Sequence, residues 1–555
     1  MTVVARVAER VPFSAGTDTD LDRSLALLGR PESSEQVRAT ALTVVLAGAA
    51  FAAMLVPVAP LAAVVSLAVG TLAGGSLLYG PGFVATAVRV RALGDGPDLV
   101  CRGVLRATLN PTPEHTAAFA ATGTGVLADR LAAHVRYARG GPETAWTRFR
   151  ENWRDHDPAL ARAVALVEAA TNALTEERPE LLSRALAVSL DAVEDRVTAY
   201  ASDLGSLVSA LYAFGVVLPL ALVGLLPVAP VAGVSVPLTA LAAVYNVVLP
   251  VCLVCGLAVV LARRPAAFPP ARIPADHPHL ADRARPALAW GVCGFVAAFA
   301  LSSAVAPWAL AFAVPVGVAL ALTRWTRPAR TVRERAEALE RGLPDALVVV
   351  GGRVRRGDPP ERALEATGDA LSGPIADAFA DASRVHRTLA VDVETAFLGR
   401  HGALDVPSPR VRSVVRVLGD ALDAGPSGGR VLVSLADHVD RLVRVERETT
   451  ADLAAVTNAL ATTGRWVAPV VAGITVALAR RLHPLGGGSA YPPDLLALVV
   501  GGYVLVLAVL LPAFAVCVER GFDRVRIRHA VGVSVAVAGL VYPVTVALAS
   551  VVTSV

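Results

Sequence analysis

The sequence predicts an all-α, polytopic membrane protein that carries two cytoplasmic helical bundles and is internally duplicated. Of its 555 residues, 54% are hydrophobic, and these gather in uncharged runs of about 18 residues or more, the length that spans a bilayer. Two long charged segments interrupt the runs. The order apolar, charged, apolar occurs twice along the chain, with a period of about 250 residues.

Each apolar run predicts a helical span, because in lipid only a helix satisfies all of its backbone polar groups locally. Run lengths and proline breaks predict about nine spans. They are Thr40–Val56, Leu61–Leu78, Gly205–Leu226, Pro237–Ala262, Ala287–Ala304, Trp308–Leu322, Trp466–Ala479, Leu495–Val518 and Ala530–Ser550.

The spans divide the chain into nine segments. The first is a cytoplasmic arm. It is not a secretory signal, because the apolar run that follows it starts too late in the chain and is too long. In order the segments are the arm (1–38), a transmembrane hairpin (39–88), a cytoplasmic helical domain (89–204), a second hairpin (205–262), a cytoplasmic loop (263–285), a third hairpin (286–322), a second cytoplasmic helical domain (323–464), a fourth hairpin (465–518), and a cytoplasmic link with the last transmembrane helix (519–555).

The distribution of arginine predicts a cell-membrane protein with a cytoplasmic N-terminus and an extracytoplasmic C-terminus. In that orientation both charged segments and the arginine-rich links 263–285 and 519–529 lie inside. The loops at the first three proline breaks lie outside and carry no charge. One outer loop is an exception, since it contains Arg480, Arg481 and His483.

Both charged segments are typical of small helical bundles. Leu339, Leu343, Leu347 and Val350 recur at intervals of three and four residues, which places them on one helix face. The sequence Gly357–Pro360 predicts a turn, and a new helix follows it.

Each charged segment ends in a long helix that passes from polar into apolar sequence. These helices are predicted at Asp191–Val217 and Leu442–Val467, and a proline follows each of them, at Pro219 and Pro469. The matching ends favour a duplicated domain.

The motifs of common catalytic chemistry do not occur. No span contains a charged residue well away from its ends, which argues against a proton-coupled or ion-coupled transporter. The pair Gly351-Gly352 lacks the Lys and Ser/Thr of a phosphate-binding loop, and we expect a close helix contact or a hinge there. The sequence predicts no catalytic residue, no cofactor and no metal, and the net charge of +4 predicts no nucleic-acid partner.

Cys252 and Cys255 form a C-x-x-C motif inside an apolar run. No His, Cys, Asp or Glu lies close in sequence to complete a zinc site, and the run lacks the charges that stabilise a thiolate. We expect both to be small packing residues, with redox or metal chemistry as the alternative.

Two groups of charged residues allow two interpretations. Each group is either a solvated helix face with local ion pairs or a docking surface for a soluble partner. The candidate docking residues are Arg353, Arg355, Arg356 and Asp358 at one helix end, and Asp191, Glu194 and Asp195 on the helix that enters the membrane.

One stretch of the second half resembles a known family. Its Glu340–Leu347 (E-R-G-L-P-D-A-L), Arg353–Gly357 (R-V-R-R-G) and Pro360–Glu365 (P-E-R-A-L-E) are similar to the opening of a type II secretion F-type domain. The first half is similar more loosely, since it lacks the Leu-Pro-Asp-Ala-Leu stretch. The doubled layout resembles archaeal type IV pilus and archaellum assembly platform proteins and, more distantly, bacterial tight-adherence platforms.

This resemblance implies a non-enzymatic inner-membrane platform of a type IV filament assembly or secretion machine. Such a platform couples a cytoplasmic hexameric secretion ATPase to the extraction of pilin subunits and to filament growth. The implied partners are that ATPase, pilins and membrane lipids, and symmetry allows a homodimer. The alternatives are a permease subunit of an ATPase-coupled transporter and a membrane-bound enzyme that uses Cys252 and Cys255.

Overall fold

The computed structural model describes residues 18, 21–22, 25, 32–57, 60–123, 125–138, 144–228, 237–263, 280, 283–400, 402–404, 408–482 and 492–552. Every regular element in these ranges is helical, which confirms the predicted all-α class. Most of the predicted arm and of the loop 263–285, together with His483, lie outside the described residues.

Eight helical stretches within the described ranges are long and apolar enough to cross a membrane, so the chain is a multi-pass membrane protein. They are Ser34–Leu55, Gly205–Leu225, Leu238–Leu261, Ala284–Ser303, Pro307–Arg355, Pro426–Leu482, Pro493–Arg520 and Arg524–Val552. The predicted span Leu61–Leu78 lies inside another long helix, Pro60–Leu109.

The first half of the chain, residues 34–263, contains ten α-helices among its described residues and two five-residue π-helical segments. The helices are α1 (Ser34–Leu55), α2 (Pro60–Leu109), α3 (Pro113–Ala120), α4 (Val126–Ala138), α5 (Ala145–Trp153), α6 (Pro158–Asn172), α7 (Arg178–Tyr212), α8 (Leu218–Leu225), α9 (Leu238–Ala243) and α10 (Leu249–Arg263). The π segments are Ala213–Val217 and Val244–Val248.

The second half, residues 284–552, contains ten more helices, a 3-10 turn at Pro307–Phe312 and a third π segment at Thr463–Val467. The helices are α11 (Ala284–Ser303), α12 (Ala313–Arg355), α13 (Pro360–Ala370), α14 (Pro374–Leu389), α15 (Val393–Leu398), α16 (Pro409–Asp423), α17 (Pro426–Thr462), α18 (Ala468–Leu482), α19 (Pro493–Arg520) and α20 (Arg524–Val552).

Local sequence explains where many of these helices begin and end. Proline is the first or second residue of α3, α6, α7, α13, α14, α16, α17 and α19, where its missing N–H costs nothing because a helix start leaves that group unbonded. The turn predicted at Gly357–Pro360 is confirmed. Gly357 has φ +92° and closes α12, and the N–H of Asp358 donates to the Arg353 carbonyl at 3.2 Å.

Two helices cross the boundaries between apolar and charged sequence without interruption. The boundaries predicted at 88/89 and 322/323 fall inside α2 and α12, so no break in the helix marks them. Pro344 of the Leu-Pro-Asp-Ala-Leu stretch lies inside α12, 31 residues after its start at Ala313. The long helices predicted from Asp191 and Leu442 also begin earlier than expected.

Close contacts between membrane helices form at glycines, as the pairs α1–α2 and α11–α12 show. In α1 and α2, a Cβ added to Gly48 would lie 2.7 Å from the Cα of Gly70. In α11 and α12, a Cβ added to Gly291 would lie 3.2 Å from the carbonyl oxygen of Gly317. Such spacing lets backbones approach and is typical of helix pairs in lipid.

The two charged segments share one apolar core, which we call the extramembrane core. It contains buried side chains of the first half, such as Trp146 and Phe149, and of the second half, such as Leu347 and Leu432. A separate apolar cluster, around Tyr503 and Tyr542, holds the membrane helices together. The candidate site lies where the two halves meet across both clusters.

Candidate functional site at the junction of the two halves

Helices α7 and α17 connect the extramembrane core to the membrane helices at the junction of the two halves. Both start in the extramembrane core, run toward the membrane helices and pack against each other. Each continues through a π segment into a further helix, α8 or α18, and those two helices also pack together. The halves are therefore joined along the whole path from the charged segments into the membrane.

Proline explains the three π segments. Pro219, Pro250 and Pro469 each stand two residues after a π segment, and proline cannot donate the usual bond to the carbonyl four residues earlier. The residue before each proline bonds five residues back instead, as when the N–H of Leu218 donates to the Ala213 carbonyl. The wider turn gives the proline ring room, and such turns are frequent at functional sites.

The residues at the π segments make polar contacts to other helices. The hydroxyl oxygens of Tyr212 and Thr463 lie 2.7 Å apart, which joins α7 to the third π segment. Tyr245, in the second π segment, donates to the Pro219 carbonyl at 3.1 Å. Asn246, its neighbour, donates from Nδ2 to the Val499 carbonyl at 3.1 Å. Polar groups thus hold the second and third π segments, and the residues on either side of the first, to other helices.

A buried polar cluster joins the halves inside the extramembrane core. Arg102 of α2 is 2% exposed, and its guanidinium donates to Asp98 at 3.1 Å and to the Ser413 hydroxyl of α16 at 2.9 Å. Ser413 in turn donates to Asp98 at 2.5 Å. Since every member has a partner, the cluster fixes how the two charged segments are placed against each other.

Two titratable groups near this cluster, Cys101 and Asp420, have raised pKa values. Burial, with a smaller contribution from Asp98, raises the pKa of the Cys101 thiol to about 12, so this cysteine is an unreactive core residue. Partial burial and then Glu394 raise the pKa of Asp420, although Arg102 acts in the opposite direction.

The acidic candidates on α7 face basic residues of α17. Asp191 lies 3.9 Å from Arg441, and both side chains are exposed. The hydrogen bond that Arg444 donates to Asp440, the negative charge of Asp440, and the charges of Glu448 and Glu194 raise the pKa of Arg444. Asp195 is exposed. Asp191 and Glu194 therefore contribute to the contact between the halves, but only weakly, because water screens exposed charge pairs.

The basic candidates lie at the C-terminal end of α12. Arg353 forms an ion pair with Asp358 at 3.7 Å, whereas Arg355 and Arg356 are exposed. Among the described residues, no hydrogen bond or ion pair connects this group to the acidic residues of α7. The structure thus keeps the two predicted groups as separate surfaces.

A second buried ion pair, missed by the sequence analysis, lies at the other side of α12. Arg333 pairs with Asp523, and the two side chains are 8% and 3% exposed. One turn along α12, Glu337 pairs with Arg526 and, at 3.5 Å, with Arg520. These contacts fasten α12 to the link between α19 and α20.

Arg480, which the sequence places in a loop predicted to lie outside the cell, has partners close by. Arg480 lies 2.7 Å from Asp494 and its guanidinium lies 5.4 Å from the centroid of the Trp308 ring. The ion pair neutralises the charge of Arg480, so this arginine contributes less to the orientation of the neighbouring helices in the membrane.

Cys252 and Cys255 are free thiols on α10, and within the described ranges no group of three His, Cys, Asp or Glu could hold a metal.

Sequence signals existed for some of the missed features. The recurring proline at Pro219, Pro250 and Pro469 marks the π segments, but the buried pair of Arg333 and Asp523 has no local signal because 190 positions separate the two residues.

Comparison of the chain with protein-family models, curated proteins and solved structures found no match.

Proposed function

We propose that this chain is the non-enzymatic platform of a type IV filament assembly machine in the cell membrane. It would couple a cytoplasmic hexameric ATPase to the extraction of pilin subunits and to filament growth. The observation that supports this most is the set of unbroken helices, α2, α7, α12 and α17, that start or end in the extramembrane core and continue to the membrane helices.

Such helices are suited to carry force. α12 has 43 residues, and at 1.5 Å per residue it is about 65 Å long, roughly twice the hydrocarbon thickness of a bilayer. A motor that displaces its charged end displaces its membrane end with it. The lipid-facing helices are rich in small and apolar residues, which suits lateral contact with the apolar helix of a pilin.

The proposal includes an internal duplication. α2 through α8 and α12 through α18 follow one another in the same order of long, short and long helices. The π segments Ala213–Val217 and Thr463–Val467 lie 250 positions apart, and the prolines after them do so as well. A duplicated unit would give the ATPase two similar helical segments to bind.

The proposed orientation keeps the N-terminus and the extramembrane core in the cytoplasm and the C-terminus outside. It follows from the arginines at the ends of the membrane helices. Single-cysteine variants near residues 150 and 550, labelled with a membrane-impermeant maleimide, test it. Labelling of the first site from outside the cell would overturn both the orientation and the platform proposal.

For the ATPase we propose Arg355 and Arg356 as the main contacts, because Arg353 and Asp358 pair with each other and Asp191 and Glu194 face α17. The test is co-purification of the full-length chain with the secretion-type ATPase of the same cell. Arg355→Glu/Arg356→Glu should reduce recovery of the ATPase at least tenfold and abolish surface filaments.

The control is Arg335→Glu/Arg412→Glu, which reverses two other exposed arginines of the extramembrane part. It should retain ATPase binding. Equal recovery with both variants would contradict the docking surface. Intact filaments together with loss of uptake of a solute would favour the permease alternative.

A further inference from the structure

Six arginines form a band at one end of the membrane helices α11, α12 and α20. Arg283 lies with its guanidinium 4.5 Å from the centroid of the Trp325 ring, which places the start of α11 beside α12. The Thr326 hydroxyl lies 3.1 Å from Nδ1 of His529, which places the start of α20 at the same level. The arginines of this band are Arg283, Arg285, Arg324, Arg327, Arg524 and Arg528.

The described residues do not compensate the charge of this arginine band. None of the six forms an ion pair with a described residue, and the sequence contains no Asp or Glu from Arg283 to Arg333 or anywhere in α20. The Nε of Arg324 is buried without a hydrogen-bond partner. A buried donor without an acceptor is costly, and none of the described residues supplies an acceptor to this atom, so it points to a bound ligand.

Neighbouring arginines on α12, on α20 and at the end of α19 have carboxylate partners. Arg333 pairs with Asp523, and Glu337 accepts from Arg526 and lies 3.5 Å from Arg520. The chain therefore places carboxylates where it needs to neutralise arginine for its own packing. Arg324 and Arg327, about two helical turns away along α12, have no such partner among the described residues.

An apolar surface begins directly beside the arginine band. On α11, Leu288 is 71% exposed and Val292 is 55% exposed, and on α12 Val318 is 62% exposed. Leu288 lies one helical turn from Arg285. A ligand that follows both surfaces carries a negative group at one end and a hydrocarbon chain at the other.

We propose that the arginine band binds the phosphate group of an anionic phospholipid, whose acyl chains lie along α11 and α12. Arginine donates to phosphate oxygens in a planar, charge-assisted geometry, and the Nε of Arg324 gains its acceptor from the phosphodiester. The exposed guanidiniums of Arg285, Arg524 and Arg528 add positive charge around the phosphate group. A free phosphate or a nucleotide would use the arginines without needing the apolar surface.

The experiment uses the full-length protein in nanodiscs of phosphatidylcholine, with or without one third phosphatidylglycerol, and counts retained lipids by native mass spectrometry. The protein should retain phosphatidylglycerol in preference to phosphatidylcholine. Each arginine near a membrane surface changes anionic-lipid affinity about fivefold, so Arg285→Gln/Arg324→Gln should weaken retention about 25-fold. The control Arg384→Gln/Arg387→Gln neutralises two arginines on α14 and should retain the lipid.

Equal retention by the two variants would overturn the proposal, as would equal retention of both lipids by the unchanged protein. Displacement of phosphatidylglycerol by millimolar ATP or inorganic phosphate would assign the arginines to a soluble anion instead. If Arg285→Gln/Arg324→Gln does not fold, Arg524→Gln/Arg528→Gln removes only exposed side chains and carries the same expectation.

Discussion

The hydroxyl oxygens of Tyr212 and Thr463 lie 2.7 Å apart although 251 positions separate them in the chain. Tyr212 is the last residue before the first π segment, and Thr463 is the first residue of the third. The contact therefore joins the two long helices at the level where each leaves the extramembrane part.

Tyr212→Phe removes this hydrogen bond and should destabilise the protein by about 1 kcal/mol. Thr463→Val should do the same, and the double variant should lose little more than either single one, because both changes remove one bond. Thermal unfolding in detergent measures the three values as a double-mutant cycle. Strictly additive losses would show that the two hydroxyls do not act as a pair.

Gly351 and Gly352 provide a matched test of helix packing. A Cβ on Gly351 would lie 2.9 Å from the Gly429 carbonyl oxygen and 2.9 Å from Cβ of Leu432, whereas a Cβ on Gly352 meets nothing closer than Nη1 of Arg356 at 4.0 Å. Gly351→Ala should therefore cost about 1–3 kcal/mol by overpacking α12 against α17.

Gly352→Ala should be neutral, or stabilising by up to about 1 kcal/mol, because alanine favours the helix. Unfolding midpoints of the two variants provide the comparison. The predicted close helix contact at this pair is confirmed for Gly351, and a loss of stability confined to Gly352→Ala would contradict that assignment.

The buried ion pair of Arg333 and Asp523 predicts a strong effect of one substitution and a partial rescue by a second. Arg333→Met leaves Asp523 with only Arg526, at 3.6 Å, so the cost should be about 3 kcal/mol, the lower end for a broken buried pair. Asp523 also caps α20 by accepting from the backbone N–H of Val525 at 3.0 Å.

Adding Asp523→Asn to Arg333→Met removes the unpaired charge and keeps a capping oxygen. The double variant should recover part of the lost stability. Denaturation of the purified proteins measures both values, and a double variant less stable than Arg333→Met would show that the carboxylate is not the source of the cost.

His134 predicts a loss of stability in acid. Burial, followed by the charges of Arg148 and Arg130, lowers the pKa of His134 below its usual 6.5. Below pH 6.5 the unfolded chain takes up a proton that the folded chain resists, so stability falls as the pH drops through the lowered folded pKa, and none is lost above 6.5. His134→Gln should reduce this acid dependence.

The exposed His115→Gln is the control and should leave the acid dependence as it is. Unfolding midpoints followed from neutral pH to well below 6.5 give the curve for each protein. An identical slope for wild type and His134→Gln would assign the acid loss to other groups.

Sequence reasoning succeeded where local rules decide the outcome. The all-α class and eight of the predicted spans follow from uncharged runs, and the end of α12 follows from Gly357 and Pro360, because these signals act on the backbone beside them. It did not find contacts such as that of Arg102 with Ser413, 311 positions away, since periodicity reveals which face of a helix is covered but not by which partner.

The shared extramembrane core has a practical consequence for anyone who produces fragments. A polypeptide of residues 323–464 alone would lack Asp98 and Arg102, the partners of Ser413, and would present to water the side of α17 that α7 covers. Such a fragment would self-associate rather than stay dispersed. A soluble fragment for biochemical work would need both charged segments, either co-expressed or joined by a short linker.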